Sequence, residues 1–178
     1  MTLRAKIAMA FVAVNLLFFT GWAVSEAVQF SSENVREITV KTRPVDPRDL
    51  LSGNYFILNY DITRVNNYEN HEQYGYRWSS KRRNVWAVLK KEEEFYVPHM
   101  LYDEMPRLEN HDHVVLRGTF KRGNIDFGVG KFFINENMKE PSRSDMRKTT
   151  VVLKVSDKGN VRIKEVYVDG VEYFSTQR

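Results

Sequence analysis

The sequence predicts an all-β protein, a small barrel or sandwich of about seven to eight strands, preceded by one N-terminal transmembrane helix. Two observations lead to this prediction. An uncharged apolar run occupies residues 7–25, and short strand-like segments separated by turn residues recur from residue 35 onward. No glycine-rich nucleotide-binding motif, repeat or low-complexity tract indicates another architecture. We therefore divide the chain into a membrane anchor with a short cytoplasmic end, residues 1–29, and an exported β-rich domain, residues 30–178.

Composition narrows the class of protein further. The chain has 178 residues, of which 42% are hydrophobic, and a formal net charge of +4. Its basic residues are scattered among 23 acidic ones, so we expect no nucleic-acid partner. The chain contains no cysteine, which excludes structural disulfides, thiolate catalysis and cysteine-ligated metal centres. We expect neither a cofactor nor a metal site.

The N-terminal run has the length and composition of a membrane span. Residues 7–25 carry no charged side chain, and an α-helix of that length extends about 28 Å, close to the thickness of a bilayer core. Arg4 and Lys6 precede the run, which favours a cytoplasmic N-terminus, and Trp22 suits the far interface. A cleaved signal peptide is the alternative, because residues 23–25 form a small-x-small site. The length of the run favours a retained anchor in the bilayer.

The clearest strand pattern lies at residues 55–62. Its even positions are all apolar or aromatic, whereas its odd positions become polar toward the end. Alternation with a period of two predicts a half-buried strand. Tyr55 and Tyr60 fall on opposite faces of such a strand because their separation is odd. We expect one of them to pack inward and the other to face the rim or a partner.

Three later hairpins have similarly clear signals. Apolar and β-branched segments separated by turn residues predict hairpins over residues 84–100, 113–135 and 149–170. The apolar positions in the final strand cannot all lie on one face of a regular strand. A bulge near Lys164 and Glu165 would reconcile them.

Residues 43–62, RPVDPRDLLSGNYFILNYDI, carry a recognisable motif. The octapeptide GNYFILNY at residues 53–60 and the aspartate-proline run before it resemble the signature of the GDYXXLXY family, membrane-anchored bacterial proteins named for that octapeptide. The family aspartate is Asn54 here. Weaker similarity extends over most of the chain, including an aromatic segment that ends at Glu136. The motif residues that the resemblance marks are Asp46, Arg48, Asp49, Gly53, Asn54, Tyr55, Leu58, Tyr60 and Glu136.

The resemblance implies a location and a kind of partner rather than a reaction. Family members resemble single-span proteins with an exported β-rich domain and no established activity, often found beside multi-pass membrane proteins. It therefore implies residence in the bacterial inner membrane, with the N-terminus cytoplasmic and the C-terminal domain exported. The expected function is a non-enzymatic accessory or interaction subunit for a multi-pass inner-membrane protein.

The residues before the octapeptide read physically as a turn. The carboxylates of Asp46 and Asp49 can accept hydrogen bonds from following backbone N–H groups, and Arg48 lies between them. Gly53 supplies backbone freedom. Asn54 keeps the turn hydrogen bonds of an aspartate but removes the charge, which a general base or a hard-metal ligand requires. The sequence thus favours a structural turn first. A partner-contact surface is the second choice, and a catalytic or metal site is the third.

The sequence leaves three alternative functions open: a hydrolase, a metal site and a sensor. A membrane-proximal hydrolase of the signal-peptidase type would need a nucleophile and a lysine base, for which Ser52 and Lys90 are the nearest candidates. Residues 109–113 contain two histidines and two carboxylates that suit a transition metal, although a polar loop has the same composition. A sensor of a small envelope ligand would need a largely apolar pocket lined by tyrosine and tryptophan.

Overall fold

The computed structural model describes residues 2–31, 35–43, 55–74, 82–133 and 148–175. Backbone contacts divide the chain into two compact units, Met1–Val35 and Arg36–Arg178. The first unit contains a single helix, and the second is built of strands. The all-β class with one N-terminal helix is therefore confirmed.

The N-terminal unit is the helix α1, Leu3–Ser31. Its segment Leu3–Ser25 has a mean hydropathy of 2.0 and no buried residues, so it is long and apolar enough to cross a membrane. The polar side chain in the middle, Asn15, donates from Nδ2 to the carbonyl oxygen of Phe11 at 2.8 Å, within the same helix. A membrane anchor and a signal sequence both fit this helix.

The β unit contains eleven strand segments within the described residues. Seven have five or more residues, close to the predicted number, and the other four have two or three. The segments are β1 (Arg36–Arg43), β2 (Tyr55–Ile57), β3 (Asn59–Tyr60), β4 (Arg83–Glu92), β5 (Phe95–Tyr102), β6 (His113–Lys121), β7 (Asn124–Asp126), β8 (Lys131–Phe133), β9 (Thr149–Val155), β10 (Val161–Val168) and β11 (Val171–Ser175). The prediction missed β11, which follows β10 through a turn at Asp169 and Gly170, both with positive φ.

The strands form three antiparallel sheets. One has five strands in the order β11-β10-β9-β1-β3, and another has four in the order β5-β4-β6-β7. The third is the short pair β2-β8. All three predicted hairpins are present, but the second is shorter than predicted, because β7 ends at Asp126 and β8 pairs with β2 instead of β6.

One hydrophobic core joins the five-stranded and four-stranded sheets. Val40 of β1 and Leu153 of β9 are buried in the same cluster as Leu89 of β4 and Leu116 of β6. β9 alternates buried with partly buried positions along its whole length. This alternation places every second residue in the core, which is the period that β-strands impose.

The predicted strand at residues 55–62 is only partly correct. Leu58, Tyr60 and Ile62 are buried, as the alternation predicts, and Asn59 is exposed. Strand geometry nevertheless ends at Tyr60, because Asp61–Thr63 forms a 3-10 turn. The pattern therefore identified the buried side chains correctly but overestimated the length of the strand.

The predicted bulge in β10 is confirmed. Its pairing with β9 shifts register between Ile163 and Glu165, which leaves Lys164 as the extra residue. The Lys164 Nζ atom lies 2.9 Å from the Glu37 carboxylate of β1 and 3.0 Å from that of Glu165. Hydrogen bonds to these two carboxylates raise the pKa of Lys164. At the bulge, Lys164 of β10 therefore forms an ion pair with Glu37 of β1, which lies two strands away in the same sheet.

The turn between β9 and β10 also connects two sheets. Gly159 in this turn has φ of +76° and accepts a hydrogen bond at its carbonyl oxygen from the Arg117 N–H of β6, at 2.8 Å. A Cβ atom at this position would lie 2.9 Å from that nitrogen and 3.2 Å from the Val115 oxygen. Only glycine fits both the backbone conformation and the close approach.

We predict that Gly159→Ala destabilises the protein more than Gly170→Ala does. Both glycines have positive φ, but a Cβ at Gly170 meets nothing within 4 Å. Each substitution should cost about 1–2 kcal/mol for the left-handed conformation, and Gly159→Ala about 1–3 kcal/mol more for the clash. Thermal unfolding of the full chain in detergent, followed by circular dichroism of the β signal, measures the difference. Equal losses for the two variants would contradict this role of the turn.

Candidate functional site

The octapeptide segment contributes strands to two of the three sheets. β2 pairs with β8 through Tyr55–Ile57, and the next segment, Asn59–Tyr60, pairs with β1 of the five-stranded sheet. Between them, the Leu58 N–H donates to the Gly130 carbonyl oxygen at 2.9 Å. We call residues 55–60 with their partners on β1, on β8 and at residues 129–130 the seam. The chain passes from one sheet to the next here with its backbone hydrogen bonds maintained.

Tyr60 is the buried centre of the seam. Its side chain is 1% exposed, and its hydroxyl donates to the Val129 carbonyl oxygen at 2.8 Å. Burial raises the pKa of the Tyr60 phenol far above its ordinary value, so the group stays neutral. Leu58 is 2% exposed. Tyr60 is therefore the motif tyrosine that packs inward, and its role is structural. Of Tyr55 the structure gives only the backbone, in β2.

The remaining motif residues lie outside the described parts of the chain. This holds for Asp46, Arg48, Asp49, Gly53, Asn54 and Glu136, and also for the candidate nucleophile Ser52. Their interpretation as a turn stays a prediction. The described part of the motif, residues 55–60, pairs with β8 and β1.

A polar cleft lies beside the seam. Its volume is about 570 Å³. A second cavity of about 300 Å³ shares Asn59, Tyr60, Thr63 and Asn124 with the cleft and adds mainly apolar wall residues, among them Leu58 and Phe127. The residues lining the cleft are Arg43, Asn59, Tyr60, Thr63, Arg64 and Asn124.

Three parts of the chain bring these side chains together. Asn59 lies in the seam itself, and Arg64 follows the 3-10 turn that ends the segment. Arg64 and Asn124 form an isolated antiparallel bridge, which places them opposite each other across two backbones. The turn before Asn124 has positive φ at both Arg122 and Gly123, as a tight two-residue hairpin requires.

Of the two arginines that line the cleft, Arg43 forms an ion pair with a described residue and Arg64 does not. The Asp61 carboxylate forms an ion pair with Arg43. The Arg64 side chain is exposed and forms no ion pair with any residue that the structure describes. The Thr63 hydroxyl donates to the Tyr60 carbonyl oxygen at 2.7 Å. Two arginines and one carboxylate give the cleft an excess positive charge.

The histidine cluster does not form a metal site within the described residues. His111 lies in a turn, and its backbone oxygen accepts a hydrogen bond from Arg36 at 3.0 Å. His113 begins β6, and its ring centroid lies 5.0 Å from that of His99. The His99 Nδ1 atom is 2.9 Å from the Glu69 carboxylate. No group of three possible metal ligands converges in this part of the chain.

Lys90 has the wrong surroundings for a catalytic base. Its Nζ atom lies 3.2 Å from the Glu92 carboxylate and 3.4 Å from that of Glu69. Hydrogen bonds to these groups raise the pKa of Lys90. A lysine base requires a lowered pKa so that it is neutral near physiological pH. The geometry therefore argues against the Ser52 and Lys90 hydrolase.

Asn70 closes an edge of the four-stranded sheet. Its side-chain amide accepts from the Leu101 N–H and donates to the Leu101 carbonyl oxygen, both at 2.8 Å. The Glu69 N–H donates to the His99 carbonyl oxygen at 2.9 Å. Residues 69–70 thus occupy backbone groups of the edge strand β5 that would otherwise be open to another strand.

Comparison with known proteins decides the family. The family model described as GDYXXLXY protein matches residues 16–166. The chain belongs to the GDYXXLXY family. No curated protein and no solved structure matches it. The family match begins within α1 and ends within β10, so it includes the octapeptide, the seam and every residue that lines the polar cleft.

Sequence reasoning missed most of the cleft of this GDYXXLXY protein. Arg43 and Arg64 flank the motif segment, but neither has a pattern that distinguishes it from other surface arginines. Asn124 follows Arg122 and Gly123, a composition typical of any hairpin turn. The one available signal was the position of Asn59 inside the octapeptide. The cleft depends on a bridge between residues 60 positions apart, which no local pattern reveals.

We predict that Tyr60→Phe lowers the free energy of unfolding by about 1–3 kcal/mol, because the Val129 carbonyl group loses its buried donor. Tyr102→Phe is the matched control, since this half-buried tyrosine on β5 has a hydroxyl without a hydrogen-bond partner in the described residues. Chemical unfolding of the full chain in detergent measures both. A Tyr60→Phe variant as stable as the control would show that the hydrogen bond contributes nothing.

Proposed function

We propose that the protein is a non-enzymatic accessory or interaction subunit, held in the bacterial inner membrane by α1, for a multi-pass membrane protein. The N-terminus is cytoplasmic and the β unit lies on the exported side. Membership of the GDYXXLXY family supports this proposal, and so do the charged residues Arg4 and Lys6 before the apolar helix.

The observation that carries the proposal is the exposed apolar surface of α1. None of the segment Leu3–Ser25 is buried, and side chains such as Phe11 and Trp22 are 70% and 61% exposed. An apolar surface of this extent is unfavourable in water and is stable only against lipid or other apolar helices. A bilayer that also holds a multi-pass protein supplies both.

The chemistry of the described residues also favours binding over catalysis. The motif residue Tyr60 is neutral and hydrogen bonded, and Lys90 is held in ion pairs. A hydrolase acting through these groups would need them free and with altered ionisation. The polar cleft does not meet the criterion for a sensor with an apolar, aromatic pocket, because Tyr60 is the one aromatic residue among the described residues that line it.

The test is chemical crosslinking in intact spheroplasts with a membrane-impermeant, lysine-reactive reagent. Lys148 is a suitable target, since its side chain is 66% exposed. We expect the full chain to form a reproducible adduct with a multi-pass membrane protein. We also expect its lysines to react before the membrane is broken.

The matched control is α1 fused to an unrelated exported domain. This control separates a partner of the β unit from proteins that merely share the bilayer. The interaction proposal fails if the wild-type chain captures no multi-pass protein beyond those captured by the control. The exported placement fails if the lysines of the β unit react only after the spheroplasts are lysed.

A further inference from the structure

We propose that the polar cleft beside the seam binds a phosphate group. The proposed site is the cavity of about 570 Å³, with Arg64, Asn59 and Asn124 as the donors to the phosphate oxygens. This proposal does not depend on a protein partner, because every residue in it belongs to this chain.

Charge is the first argument. Arg43 and Arg64 both line the cleft, and the Asp61 carboxylate at its edge is already occupied by Arg43. That leaves the Arg64 guanidinium without an ion-pair partner in the described chain. A guanidinium group presents paired N–H donors that match the oxygens of a phosphate. The unpaired charge in the cleft therefore selects for an anion.

The directions of the donors are the second argument. Asn59 comes from β3, Arg64 follows the 3-10 turn, and Asn124 begins β7, so the three side chains reach the cleft from separate elements. None of the three side chains is committed to a hydrogen bond with another described residue. A phosphate has oxygens in tetrahedral directions and can accept from several sides at once, whereas a carboxylate has two oxygens in one plane. The arrangement thus favours phosphate over carboxylate.

Rigidity is the third argument. Arg64 and Asn124 are held opposite each other by their backbone bridge, and the neighbouring Val65 N–H donates to the Gly123 carbonyl oxygen at 3.2 Å. The floor of the cleft is Tyr60, which is fixed by its buried hydroxyl. A fixed backbone keeps the distance between Arg64 and Asn124 constant, so binding does not have to order the backbone that carries these donors.

The adjoining cavity bears on the source of the phosphate. It shares Asn59, Tyr60, Thr63 and Asn124 with the cleft and is otherwise lined mainly by apolar residues, together with the charged residues Lys121 and Asp126. A phosphate that carries an acyl chain could place part of that chain there. A soluble phosphate ester would use the cleft alone. Both sources present the same phosphate chemistry to Arg64.

The test is isothermal titration calorimetry on the full chain in a nonionic, phosphate-free detergent. The probes are glycerol 3-phosphate, dihexanoyl phosphatidic acid and acetate. We expect both phosphates to bind and acetate to bind at least about tenfold more weakly.

Arg64→Gln should weaken phosphate binding about tenfold or more, because a charge-assisted hydrogen bond is lost. Asp61→Asn should tighten it severalfold, because a competing negative charge is removed and Arg43 is released.

Arg107→Gln is the matched control. Arg107 is an exposed arginine in the loop after β5, without an ion-pair partner in the described chain, and it does not line the cleft. The Arg107→Gln variant should bind both phosphates with the affinity of the wild type. Circular dichroism of each variant shows whether it is folded. If Arg64→Gln does not fold, Asp61→Asn still tests the proposal, because unfolding cannot increase the affinity for phosphate.

The outcomes separate clearly. Tighter binding of the short-chain lipid than of glycerol 3-phosphate supports the site with a lipid headgroup as its ligand. Equal affinity for the short-chain lipid and for glycerol 3-phosphate supports the site with a soluble phosphate ester as its ligand. The proposal is overturned if neither phosphate binds, if acetate binds as tightly, or if Arg64→Gln and Arg107→Gln change the affinity equally.

Discussion

The hydrogen bond from the Tyr60 hydroxyl to the Val129 carbonyl oxygen, 2.8 Å long and fully buried, joins β3 to the segment between β7 and β8. A buried carbonyl group without a donor is costly, so this contact holds residues 129–130 against the octapeptide. The Leu58 N–H bond to Gly130 lies beside it. β2 pairs with β8 and β3 pairs with β1 on either side of these contacts. The family octapeptide is thus a structural junction in its described part.

The same junction accounts for the cleft. Because the seam buries Leu58 and Tyr60, the intervening Asn59 must face outward, as alternation in an extended chain requires. The 3-10 turn that ends the segment then carries Arg64 to its bridge with Asn124. A structural motif and a polar binding surface therefore share one short stretch of chain. The residues of the proposed phosphate site are therefore immediate neighbours of residues that stabilise the fold.

Sequence reasoning predicted the features that depend on local pattern. The all-β class, the apolar helix, the burial of Leu58 and Tyr60 and the bulge at Lys164 all follow from periodicity and composition. The early end of the strand at Tyr60 was not predicted, because the switch to a 3-10 turn leaves Ile62 buried all the same. β11 was missed beyond the turn at Gly170, and the cleft was missed because it depends on long-range pairing.

The central claim is that the seam is part of the cooperative core, not a mobile binding loop. Native-state hydrogen exchange of the full chain in detergent tests it most directly. The amide of Leu58, buried and bonded to Gly130, should exchange only through global unfolding, as slowly as amides of β4 such as Leu89. Exchange of the Leu58 amide through local opening, while the β4 amides stay protected, would contradict the account.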